Sequence, residues 1–135
     1  MAATRQWTLT IISPADAPLR IERDGARLDL NQVGPGLATP VELLLAAVGS
    51  CFALSCHAAF TTRGKPRTGF EVVVTGIKAE RLPSRLALIR QTVRFEPSLA
   101  TEDAHAIATL AKQMCTVTNT LAAVPPCELV LEVVD

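Results

Sequence analysis

Thr39-Pro-Val-Glu-Leu-Leu-Leu-Ala-Ala-Val-Gly-Ser-Cys-Phe-Ala-Leu-Ser-Cys-His-Ala-Ala-Phe60 carries no charge after Glu42, and the next charged side chain is Arg63. Pro40 suits a first helical position and Thr39 an N-cap, so the spacing predicts a helix from Pro40 to about Thr62, ended by Arg63-Gly-Lys-Pro66. A helix that is apolar on every side is either buried all round or lies in a membrane. The run from Leu43 to Phe60 approaches the roughly 18 residues a membrane span needs. Gly49, Ser50, Ser55 and His57 interrupt it, Ala is abundant, and alternating strands flank it, so it reads as the interior of a soluble domain. Such a helix of about 22 residues is roughly 33 Å long. One chain of 135 residues has trouble covering it. Packing the helices of two chains together at a large obligate interface solves this, which predicts an intertwined homodimer.

Before the helix, Gln6 to Ser13 reads as a strand stopped by Pro14. Leu19 to Gly25 and Ala26 to Asn31 alternate apolar with polar residues across an Asp24-Gly25 hairpin signal. Leu19, Ile21, Leu28 and Leu30 should face inward. Beyond the helix, Phe70 to Glu80 and Leu86 to Glu96 read as an antiparallel pair around a turn at Pro83. A second helix starts near Thr101, with Glu102 and Asp103 where the helix dipole favours acids. Ile107, Leu110, Ala111 and Met114 form its apolar stripe. Pro125-Pro126 stops that region, and Cys127 to Val134 alternates as a final strand. The expected fold is α+β in one domain spanning residues 1–135: N-terminal strands, a long buried central helix, two strands, a second helix and a final strand.

Nearly half the residues are apolar and the formal net charge is zero. Neither disorder nor a nucleic-acid footprint fits, because the latter needs clustered Lys and Arg. The N-terminal residues lack the basic and apolar segments of an export signal, so the expected compartment is the cytoplasm. Four cysteines in that compartment are more often buried, catalytic or metal-bound than a disulfide scaffold.

A buried cysteine is usually a small hydrophobe. Cys51 and Cys56 diverge by roughly 140° and about 7.5 Å on one helix, too far for a disulfide. No Cys-x-x-Cys is present and neighbouring Cys56 and His57 point apart, so neither a metal nor another cofactor is expected. His57 reads as a core or interface histidine, and Cys127 as structural. Cys51, beside Gly49-Ser50, and Cys115, where the second helix ends, remain the candidates for chemistry.

Thr39-Pro40-Val41-Glu42-Leu43-Leu44 with Ala46-Ala47 and Cys51 resembles the first-cysteine helix of the OsmC/Ohr family, and Cys115-Thr116-Val117-Thr118 with Leu121 resembles its second-cysteine motif. The resemblance runs across nearly the whole chain. It implies an intertwined homodimer with two sites at the subunit interface and a thiol-dependent peroxidase acting in the stress response. Small apolar organic hydroperoxides would be its substrates. Cys51 would be peroxidatic and Cys115 resolving, with an external dithiol as reductant. In the family an Arg held by a Glu activates the thiolate. That Glu directly follows the motif proline, where this chain has Val41; Glu42 is one place later, about 13.5 Å from Cys51 along a straight helix and on its opposite face. Arg20, Arg23 and Arg27 are the candidate arginines; as read they share the polar side of their strands. The Pro-x-Glu-Leu spelling resembles a less characterised branch of the family. Two other functions stay open on these residues: a non-catalytic dimeric module binding a small apolar ligand, and a thiol redox sensor.

Overall fold

The computed structural model describes residues 10–12, 20–23, 26–27 and 39–132. It is α+β, with two compact units, Met1–Leu44 and Leu45–Asp135. In the first unit, β1 (Thr10–Ile12), β2 (Arg20–Arg23) and β3 (Ala26–Arg27) form an antiparallel sheet in that order. Ile11 pairs with Ile21 and Arg23 with Ala26, so the strands on either side of the expected turn pair antiparallel. That dipeptide, the other residues of the expected first strand, and Leu19, Leu28 and Leu30 lie outside the described residues, as does the side chain of Ile21.

Helix α1 (Pro40–Thr62) has the predicted bounds. Its start is a capping box: the Thr39 N–H donates to Glu42 Oε1 (3.0 Å), and the Glu42 N–H donates to Thr39 Oγ1 (3.2 Å). Its end is a Schellman turn. Gly64 takes φ +64°, its N–H donates to the Thr61 carbonyl, and the Lys65 N–H donates to the Phe60 carbonyl.

In the second unit β4 (Phe70–Lys78) and β5 (Leu86–Phe95) pair antiparallel from Phe70↔Phe95 to Lys78↔Leu86, with a register shift at Ile77/Lys78. One sheet face is half-buried and the other is exposed. Helix α2 (Thr101–Met114) buries Ile107 and Ala111, as its stripe predicted, while Met114 is exposed. Phe52, Cys56, Ala59 and Phe60 of α1 join Ile107, Ala111 and Cys115 in one buried cluster, with Phe70, Val72, Val93 and Phe95 of the sheet packed against it. Close approach fixes one glycine: a Cβ on Gly49 would lie 2.7 Å from Val74 Cγ2.

The structure corrects three expectations. Residues 116–123 form a further helix, α3 (Thr116–Ala123), where no element was predicted. Its Thr-rich sequence has weak helix propensity and no long apolar stripe. Residues 124–132 take no regular secondary structure, so the expected final strand is not formed over its described part, and Leu129 is 95% exposed. Alternation marks a strand that has a face to bury, and no strand pairs with this one among the described residues. Cys127, expected to be structural, is exposed.

Helix α1 is buried on one side of this chain, not all round. Leu54 is 64% exposed, and Leu44 and Ala47 are also exposed. Among the described residues it is the one helix long and apolar enough to cross a membrane. In this fold its inner face is instead part of a protein core shared with α2 and the sheet.

Candidate functional site

Helical phase divides the two cysteines of α1. The buried face of α1 carries Val48, Phe52, Ser55, Cys56, Ala59 and Phe60. At about 100° per residue, Cys51 falls on one flank of that face, beside Leu44, Ala47 and Ala58. It is half-buried and packs against the core cluster. Its carbonyl accepts a hydrogen bond from Ser55 Oγ at 2.8 Å.

Cys56 points into the core and is fully buried. Burial in apolar surroundings, and secondarily the charge on Cys115 when ionised, push its thiol from 9.0 up to about 11. Cys56 therefore stays a protonated, unreactive thiol at neutral pH. In native protein, iodoacetamide at pH 8 should label exposed Cys127 and spare Cys56, as read by peptide mass mapping. Because the folded value is the raised one, this group's contribution to stability is complete below pH 9 and is lost as pH rises from 9 towards 11.

Cys115 joins α2 to α3 in an extended conformation (φ −77°, ψ 95°) and is fully buried. Its Sγ lies 3.1 Å from Thr118 Oγ1. Gln91 Nε2 donates to that same oxygen at 3.4 Å, which leaves the Thr118 hydroxyl proton free to point at the sulfur. The three side chains edge a cavity of about 440 Å³ with apolar walls from Phe52, Ile89, Val93 and Ala108. Gln91 Oε1 is buried there with no partner. Sequence reasoning missed Gln91 and the role of Thr118. The signal for Gln91 is a lone amide among inward-facing Leu86, Ile89, Val93 and Phe95 on β5; for Thr118 it is the three-residue spacing from Cys115.

The remaining candidates lie apart from this chemistry along the chain. Glu42 is engaged in the capping box. Helix α1 runs unbroken from there through Cys51, so the nine-residue separation of about 13.5 Å along the axis stands. Arg20 and Arg23 lie on β2 and Arg27 on β3, where Arg27 is exposed. Among the described residues no three His, Cys, Asp or Glu side chains converge as metal ligands.

On the flank of α1 opposite Cys51, Arg67 Nη1 lies 2.9 Å from His57 Nδ1, and the His57 ring meets the Phe70 ring edge-on at 5.6 Å.

The family model described as OsmC-like protein matches residues 34–130. No curated protein matches the chain. Among solved structures, an OsmC-like protein from Mycoplasma pneumoniae superposes with a TM-score of 0.76 at 13% identity, covering 90% of this chain and 91% of that one. A hypothetical protein from Aquifex aeolicus VF5 gives 0.74 at 14% identity, covering 89% of each chain. The organic hydroperoxide resistance protein OhrB of Bacillus subtilis gives 0.59 at 18% identity, covering 84% of this chain and 90% of that one. At these identities the likeness is one of fold.

Proposed function

The chain belongs to the OsmC-like protein family, and from that premise we propose that it is a thiol-dependent peroxidase reducing organic hydroperoxides, with Cys51 peroxidatic and Cys115 resolving. One observation carries the reading: Cys51 sits half-buried on the flank of α1 while packing against the cluster that holds Cys115. The Cys51 thiolate attacks the terminal peroxide oxygen, the O–O bond breaks, and the alkoxide leaves as the alcohol after taking up a proton. The resulting sulfenic acid condenses with the Cys115 thiol, releasing water and forming a disulfide. An external dithiol returns both cysteines to thiols.

The proposed working unit is a cytoplasmic homodimer. The uncovered apolar side chains of α1, Leu44 and Leu54, support it, as they are suited to packing on a second copy. The dimer would also bring the activating groups, Glu42 and one of Arg20, Arg23 and Arg27, to Cys51 across the interface. Stoichiometric cumene hydroperoxide followed by non-reducing peptide mapping is expected to yield a Cys51–Cys115 disulfide. Persistence of both free thiols after peroxide would end this reading.

A second reading, a binding module for a small apolar ligand, is favoured by the cavity of about 440 Å³ beside Cys115. It expects thiols inert to peroxide and a co-purifying apolar molecule seen by native mass spectrometry.

A further inference from the structure

Arg67, His57 and Thr68 make a polar cluster that the thiol chemistry does not use. They edge a cleft of about 460 Å³ whose other walls are Ala53, Gly69 and Phe70. We propose that this cleft, between the middle of α1 and the start of β4, binds a small organic carboxylate.

Three observations lead there. A guanidinium has only donors, so the 2.9 Å contact makes His57 Nδ1 the acceptor and leaves the ring's proton on Nε2. The edge-on packing of His57 against Phe70 holds the ring in place. Arg67 is thus oriented by a neutral partner, and among the described residues neither an ion pair nor a further hydrogen bond engages its other N–H donors. Next to it, the Phe70 ring and Ala53 give the cleft an apolar wall.

The donor is therefore an arginine fork held by a neutral imidazole. It edges a space whose walls include the Phe70 ring and Ala53. The fork fits the two oxygens of a carboxylate, and the aromatic wall takes an organic body. A phosphate dianion fits less well than a monoanion, since the cluster supplies one cation and the Glu96 carboxylate beside neighbouring Gly69 repels a double charge more strongly. The cleft is distinct from the thiol centre: six residues along α1, His57 is about 9 Å further on and roughly 120° round from Cys51.

Benzoate is the probe, with benzamide as its neutral match and inorganic phosphate as the alternative anion. The chain has two histidines, His57 and His105, so the ring resonances of His105 serve as an internal control. In the full-length protein, benzoate titration should move the His57 ring resonances with a Kd of about 1 mM or tighter and leave those of His105 in place. Arg67→Ala should weaken binding by about tenfold or more, the effect of losing a charged hydrogen bond. Arg67→Lys keeps the charge, loses the two-pronged fork, and should weaken binding severalfold. It carries the test by itself if Arg67→Ala does not fold. Equal binding of benzamide and benzoate, tighter binding of phosphate than benzoate, or unchanged affinity in both variants would overturn the assignment. The outcome is independent of whether Cys51 turns over peroxide.

Discussion

Cys51→Ser is expected to lower hydroperoxide turnover by at least about a thousandfold, the scale seen when a nucleophile is removed. A serine hydroxyl has negligible alkoxide at neutral pH and forms no sulfenic acid, so both the attack and the intermediate are lost. Two neighbouring cysteines make the result specific. Cys115→Ser should still consume about one equivalent of peroxide per site and then stall, because the sulfenic acid has no resolving thiol. Cys56→Ser should cycle, because its thiol, held near 11 by burial, does not take part. Stopped-flow consumption of cumene hydroperoxide with a dithiol reductant separates the three variants. Turnover in Cys51→Ser within tenfold of the unaltered protein would remove Cys51 from the mechanism.

Phe60→Ala should destabilise the fold by about 3–5 kcal/mol and lower the Tm by roughly 10 °C or more. Phe60 is 1% exposed and anchors a three-ring cluster. Its ring centroid lies 6.3 Å from Phe70 and 6.2 Å from Phe95, and those two are 5.6 Å apart. Truncation opens a cavity where α1 meets the sheet, and the neighbours are too large to collapse into it. It also removes the side chain that holds the end of α1 against the strands carrying Phe70 and Phe95. Thermal melts at several protein concentrations read the loss, since the Tm of the proposed dimer would depend on concentration. Leu82→Ala, at an exposed turn position, should stay within about 0.5 kcal/mol and serves as the control.

Local signals made much of this fold legible. Thr39, Pro40 and Arg63-Gly64 fixed both ends of α1, because capping chemistry is decided within one turn of chain. The alternation of Phe70–Lys78 and Leu86–Phe95 marked β4 and β5 for the same reason. Where burial depends on a distant element, local pattern misled. Cys127 to Glu132 alternates like a strand, yet these residues are exposed and lie in no sheet. Thr116–Ala123 carries no helical pattern strong enough to predict an element, yet becomes a helix beyond Cys115. Glu42 was conspicuous as the last charge before an apolar run; its observed partner is the Thr39 N–H.

By itself the sequence determined a central apolar helix, the strands that follow it, and two cysteines in motifs of one family, because helix caps, period and motif spacing are all properties of short stretches. Only the tertiary structure decided how the cysteines differ. Cys51 and Cys56 sit on the same helix in equally apolar sequence. The return of α2 and Cys115 against one face of that helix buries Cys56 in the core and leaves Cys51 on the flank. The same packing sets Gln91 and Thr118 beside Cys115, and the start of β4 sets Arg67 beside His57. A thiol's reactivity and a guanidinium's partner depend on burial and neighbours within a few ångströms, and those neighbours come from parts of the chain far apart in sequence.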